Sequence, residues 1–284
     1  MPLPSSSGAP SPARPLLPPI LAIEPDQPLR WLVLGFRDLS HKPWLSLVHG
    51  LLTALTGWAI TWLAFDRFWL LVGLVSAFMV TAPVLATSLY AMSRAIERGE
   101  PVGLGLLVQT WTRWQSTRQG QSDTYWALVR FGLLLSLAAI GWVVTSSAFI
   151  HLMAPVPIHT PMDFVRHVVA SQDHRLFEIW LALGGLMAAP VLASSVVAMP
   201  MLLDRRVTVL EAVLTSWKAV LTYPVTMALW AFLLMGFTLL GVLSLYLGLI
   251  LVVPMLGHAS WHAYRELVDV GDLPPRLDPE ESPR

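Results

Sequence analysis

Uncharged stretches dominate the chain and set the first expectation. With histidine taken as neutral, they run over residues 43–65, 68–93, 131–162, 179–203 and 219–264, which is 23, 26, 32, 25 and 46 residues. A helix that crosses a bilayer needs about 20 predominantly apolar residues. The first four stretches each accommodate one span, and the last is long enough for two. The pattern therefore predicts an all-α membrane protein with six transmembrane helices.

A second periodicity lies between these stretches. Leu29, Leu32, Val33 and Phe36 recur at i, i+3, i+4 and i+7, as do Leu104, Leu107, Val108 and Trp111, and Leu210, Val213, Leu214 and Trp217. That spacing places four apolar side chains on one helical face. Arg37, Arg113 and Lys218 follow closely. Segments so short and so basic do not span, and they are expected as amphipathic helices lying in the membrane interface.

The even-numbered spans repeat one another. The eleven residues from Ala82 to Met92 match those from Ala189 to Met199 at eight positions without a gap, and a weaker third copy begins at Val253 and Pro254. The unit expected is an interfacial helix followed by a helical hairpin, used three times over about 29–98, 103–206 and 208–268. Residues 1–28 and 269–284, rich in Pro and Ser or in Pro and acids, are expected as disordered tails.

Charge then orients the frame. Fifteen of the 18 basic residues fall on one side of a six-span arrangement, and Arg67, Arg166 and Arg175 fall on the other. Basic residues in short loops favour the cytoplasm. A bacterial inner-membrane, multi-pass protein with both termini cytoplasmic follows. Trp62 and Trp69 flank the outer turn at Asp66 and Arg67, as an interfacial aromatic belt would. Only 13% of residues are charged, and Lys plus Arg equals Asp plus Glu at 18 each. This excludes a soluble enzyme and a nucleic-acid binder. There is no cysteine, which removes disulfides, thiolate metal sites and a cysteine nucleophile.

The motifs Pro28-Leu29-Arg30-Trp31-Leu32, Gly35-Phe36-Arg37-Asp38-Leu39, Gly50-Leu51-Leu52 and Arg98-Gly99-Glu100-Pro101, with the run from Gly257 to Arg265, resemble a bacterial integral-membrane family, domain of unknown function 2189. The resemblance implies a membrane fold over about 28–268 and no assigned chemistry. Some members carry the label cytochrome c oxidase subunit I-like, which would imply haem and copper ligands. In this sequence only His49 and His258 fall inside expected spans, and no two histidines are adjacent. No cofactor is expected.

Candidate chemistry is sparse. Pro83, Pro190 and Pro254 each free the carbonyl four residues back, at Met79, Leu186 and Ile250. Three such carbonyls could ring a cation or polar solute in a wet cavity, or simply shape packing, with Thr81 or Ser194 as local partners. Gly50, Ala54, Gly57, Gly184, Gly185, Ala188 and Ala189 fit close helix packing. His258 and His262 are four apart on one face and are weak candidates for a shared metal. His151, His159, His167, His174, Asp163 and Asp173 form an outer segment that is either a metal site or a solvated loop. Gly99 is expected to cap the second span, with Pro101 stopping it. A surface for another membrane protein is drawn at Arg37, Asp38, Glu97, Arg98, Asp204 and Arg205.

No catalytic motif is present, so the chain is expected not to be an enzyme. The primary expectation is an accessory, scaffold or assembly protein for a membrane complex, with the lipid bilayer and such a complex as partners. One alternative is a transporter or channel built on the kinked helices. Another is a lipid-active enzyme using Glu97, Asp204 and His262.

Overall fold

A computed structural model describes residues 17–64, 67–112, 122–171 and 175–275. Among them the chain is all helix: α1 (Gln27–His41), α2 (Pro43–Ala64), α3 (Phe68–Leu85), α4 (Thr87–Arg98), α5 (Leu104–Thr112), α6 (Ser122–Met153), α7 (Pro161–Phe164), a π-turn (Val165–Val169), α8 (Arg175–Ser195), α9 (Ala198–Asp204), α10 (Val209–Thr222), α11 (Pro224–Leu243) and α12 (Leu249–Leu267).

Local signals account for many of the ends. Pro43 and Pro224 open α2 and α11, where a missing N–H costs nothing. Thr208 and Glu211 form a reciprocal capping box at the start of α10. Gly99 ends α4 in the left-handed conformation, φ 68°, and its N–H reaches back to the carbonyls of Ala95 and Ile96, as the Gly-Glu-Pro sequence leads one to expect. The turn between α11 and α12 is less regular, because Leu245 and Tyr246 both take positive φ, at 56° and 66°.

Among the described residues, four helices are long and apolar enough to cross a membrane: Pro43–Ala64, Trp126–Met153, Arg175–Asp204 and Pro224–Leu243. The other two expected spans take a different form. The stretch 68–93 breaks at Ala86 into α3 and α4. The last stretch ends in α12, whose second half carries His258, His262, Arg265 and Glu266. Protein surrounds α12, and a helix wrapped by protein can carry polar side chains that lipid would reject.

Helix α12 is the hub. It packs on α1, α2, α4 and α11, and Leu249, Val252, Leu256, Ala259, Trp261 and Tyr264 are among its buried residues. Glycines permit the closest crossings. A Cβ on Gly50 would stand 2.6 Å from the Ile250 carbonyl carbon, and one on Gly35 would stand 2.6 Å from the Ala259 nitrogen. Ala54 and Gly57 are buried on α2 as expected. On α8 the expectation holds only in part, since Gly184 faces Trp142 but Gly185 has nothing within 4 Å.

The three short amphipathic helices leave most of their apolar face uncovered. Leu29, Val33 and Phe36 on α1 are 52%, 68% and 51% exposed. Leu104 and Val108 on α5, and Leu210 and Leu214 on α10, are likewise exposed. The opposite side of α1 buries Trp31, Gly35, Asp38 and Leu39.

The expected tails need correction at their inner ends. Residues 17–26 and 268–275 lie against each other and across the polar end of the bundle. Leu21 N–H donates to the Leu267 carbonyl at 2.9 Å, Asp269 N–H to Pro19 at 3.0 Å and Arg206 N–H to Pro274 at 3.0 Å. Lys218 Nζ caps the Pro18 carbonyl at 3.0 Å. Val268 and Val270 join the main hydrophobic core. A composition rich in proline does not preclude order when the backbone finds partners. The remainder of both tails lies outside the described residues.

Candidate functional site

The polar residues singled out by the sequence converge on the last three turns of α12. Each turn presents donors or acceptors to a different neighbour.

The deepest set is a chain of hydrogen bonds. Ser46 Oγ on α2 lies 3.0 Å from His258 Nε2. His258 Nδ1 lies 2.8 Å from Ser93 Oγ on α4. Ser93 donates to Asp38 Oδ2 on α1 at 2.7 Å, and His262 Nε2 meets the same oxygen at 2.8 Å. The valences assign the protons. The single Ser93 hydrogen goes to the carboxylate, so Ser93 accepts from His258 Nδ1–H, and His258 Nε2 accepts from Ser46. The sequence is Ser46 to His258 to Ser93 to Asp38, with His262 donating from the other side. Ser46 and His258 are fully buried, and Asp38 is 5% exposed. Burial raises the Asp38 pKa, but the hydrogen bonds from His262 and Ser93 outweigh it, and the net shift is downward.

The second set centres on Asp204, at the end of α9. Its carboxylate accepts from Arg98 at 3.1 Å, from Arg205 at 2.9 Å and from the Tyr264 hydroxyl at 2.9 Å. Arg265 lies 4.0 Å from Asp204 and 2.9 Å from Glu97. Glu97 also accepts from Trp261 Nε1 at 3.0 Å. A third set ties Glu266 to Trp31 at 2.8 Å, and to Gln27 and Arg30 on α1. Arg94, buried on α4, donates to the Leu203 carbonyl at 3.2 Å.

Chemically, this arrangement is a clamp. It joins α1, α4, α9 and α12 through charge-assisted bonds at low exposure, where a lost partner is costly, and α2 through the neutral Ser46–His258 bond. It alters the surface expected from sequence. Asp38 and Asp204 face inward and are spent on the chain itself, because their partners lie on other helices. Glu97, Arg98 and Arg205 keep part of their surface, and Arg37 stays exposed without joining the clamp. Glu97 and Asp204 share Arg265, while His262 belongs to Asp38. His258 and His262 thus bind different partners rather than one metal. Among the described residues, no group of three or more His, Cys, Asp or Glu is placed to hold a metal ion. The sequence did not single out Ser46 or Ser93, and it named Trp31 and Tyr264 only within the motifs that carry the resemblance. Their only signal was polarity within otherwise apolar helices.

In the segment between α6 and α8, Asp163 is committed to a capping box. It accepts from the backbone of Thr160 at 2.9 Å and of His159 at 3.2 Å. These bonds, together with the Thr160 hydroxyl and the nearby His167, hold its pKa below the ordinary value. His174 and Asp173 lie outside the described residues.

Of the two roles open to the prolines, packing describes Pro254. The Ile250 carbonyl, freed by Pro254, packs side-on against Gly50, in the space a Cβ there would need. It does not line a cavity. Pro254 is buried in packing and Pro190 is exposed on the outside of α8. The helix of Pro83 is described but its side chain is not. Ser194, a candidate partner for a freed carbonyl, instead accepts from Trp217 Nε1 at 3.0 Å.

A cavity of about 510 Å³ does lie beside the clamp, among α2, α4, α8, α11 and α12. Its wall includes Ala86 and Val196, at the two helix breaks, and Val253, beside Pro254.

The fold and its apolar helices define an integral membrane protein. Residues 70–204, from α3 to α9, match the family DUF2189, described as a predicted integral membrane protein. The match is narrower than the resemblance read from sequence, and it contains the Arg98-Gly99-Glu100-Pro101 motif. No curated protein and no solved structure matches the chain.

Proposed function

We propose that this is a six-span, inner-membrane protein built from three interfacial-helix-plus-hairpin units, serving as a non-enzymatic accessory or scaffold for a membrane complex. Both termini are assigned to the cytoplasm on the distribution of basic residues. The single observation that carries the reading is a division of labour. The ionisable groups at the polar end are spent on one another, while the apolar faces of α1, α5 and α10 stay uncovered. A frame held rigid by its own charges leaves no free catalytic pair, and it presents three apolar ridges level with the membrane interface. The order α1–α2–α3/α4, α5–α6–α8/α9 and α10–α11–α12 supports the threefold unit. Exposed Trp62, at the far end of α2, suits the aromatic belt.

Affinity purification in mild detergent tests the role. A stoichiometric protein partner is expected, and repeated recovery of the bare chain overturns it. The topology is tested by single cysteines, since the native chain has none. A cysteine at Arg37 should be protected from an impermeant reagent in intact cells, and one at Arg166 should react.

A transporter or channel is the second reading, favoured by the cavity next to the two helix breaks. Cysteines at Ala86, Ser195 and Val253 should then react with a water-soluble thiol reagent. Uniform protection would count against a wet path.

A further inference from the structure

We infer that the cavity is a binding site for an uncharged lipid with a hydroxyl head, its head toward the clamp and its hydrocarbon toward the far end of α2. Four observations carry this assignment.

The first is charge. None of the lining residues is Asp, Glu, Lys or Arg. An ion would leave water without a counter-charge, at a cost that apolar walls do not repay. The second is polarity along the axis. His49, Tyr90 and Ser260 sit at the end nearest the clamp, whereas Leu52, Phe78, Leu234 and Leu249 line most of the remainder, where Thr238 also lies and Thr56 spends its hydroxyl on the Leu52 carbonyl. From His49 to Thr56 the wall of α2 rises by roughly 10 Å.

The third is the hydrogen-bond inventory at the head end. His49 Nδ1 meets the Leu45 carbonyl at 2.8 Å and must carry the proton. Its Nε2 is then a lone-pair acceptor, and no described residue bonds it. Thr53 donates to the His49 carbonyl, Ser195 to Val191 and Ser260 to Leu256. Tyr90 in turn bonds Ser260. These donors are spent within the protein while acceptor lone pairs remain. Such a wall selects a ligand that brings a donor. Among uncharged membrane molecules, a hydroxyl head supplies one.

The fourth is size. A volume of about 510 Å³ falls in the ~300–1,000 Å³ range of small-ligand sites. The site shares its cavity with the transport reading but needs no passage across the membrane. Thiol accessibility tests one and lipid labelling the other.

The test uses the full-length protein in nanodiscs. The probe is a hexadecyl alcohol carrying a mid-chain diazirine, and the control is the matching fatty acid. The alcohol should crosslink to α2 and α12 at lining residues such as Leu52, Val253 and Leu256, and the acid should not. His49→Phe keeps a ring but loses the acceptor, and should weaken the apparent affinity about five- to tenfold, as one hydrogen bond of ~1–1.4 kcal/mol implies. Val253→Trp should abolish labelling. Thr53→Phe fills the cavity from the opposite wall and decides the matter if the first variant fails to fold. Displacement by unlabelled dioleoylglycerol identifies a glycerolipid, and displacement by a polyprenol identifies an isoprenoid. Crosslinks spread evenly over lipid-facing Leu63 and Leu239, equal labelling by the acid, wild-type labelling of both filled variants, or displacement by neither competitor would each overturn the proposal.

Discussion

Removing the Asp38 carboxylate tests the clamp most directly. Asp38 Oδ2 accepts from Ser93 at 2.7 Å and from His262 at 2.8 Å, and the side chain is 6% exposed. Hydrogen bonds to a charged group contribute about 1.5–3 kcal/mol each. At this burial solvent does little to replace them. Asp38→Ala should therefore cost about 3–5 kcal/mol, the range for breaking a buried pair. Asp38→Asn retains one oxygen that can accept both bonds at neutral strength, and should cost about 1–3 kcal/mol. Reversible unfolding by SDS in mixed micelles measures these values, and a cycle with His262→Ala isolates the pair. A coupling energy of about 1–3 kcal/mol is expected. The pH dependence carries an independent sign. Because the folded pKa of Asp38 lies below its ordinary 3.8, its contribution is fully present above that value. It is lost as pH falls through the lowered pKa. The gap between wild type and Asp38→Asn should persist from pH 7 to about 5 and shrink below 3.8. A loss under about 1 kcal/mol for Asp38→Ala, or a gap that closes already between pH 7 and 5, would refute the clamp.

Five further outcomes follow from the same geometry. Gly50→Ala should destabilise by about 1–3 kcal/mol, since its Cβ meets α12 backbone that cannot rotate away. Gly185→Ala, with nothing within 4 Å, should be neutral or slightly stabilising in the same unfolding assay. Asp204→Ala should cost about 3–5 kcal/mol because it takes a buried acceptor from Arg98, Arg205 and Tyr264. Glu97→Ala should cost about 1 kcal/mol or less, since Glu97 is 40% exposed and solvent screens its bond to Arg265. Leu245→Gly should stabilise by about 0.5–1 kcal/mol, because Leu245 holds φ 56° with its side chain exposed. A higher melting temperature in detergent is the readout.

Much of the fold was legible because its signals are local. Hydrophobic length and period located α1, α2, α5, α6, α8, α10 and α11, and Gly99 marked the end of α4 by the conformation only glycine takes freely. The candidate site was legible as an inventory but not as an arrangement. Asp38, Glu97, Asp204, His258 and His262 were all visible, yet read as a docking surface and a weak metal pair. Their partners lie far away in sequence. Ser93 is 55 positions from Asp38, and Ser46 is 212 from His258. Neither spacing nor period encodes such distances.

The prolines illustrate the same divide. Sequence places Pro254 and predicts a freed carbonyl at Ile250. Where that carbonyl points depends on Gly50, which a different helix delivers. The chain's own order of residues determined the membrane class and the amphipathic helices, because burial in lipid acts on contiguous stretches. Only tertiary structure decided that α12 lies at the centre, that the inner parts of both tails fold back over the polar end, and that the scarce charges neutralise one another. Those outcomes depend on which helices pack together, and on the high cost of leaving a buried polar group without a partner.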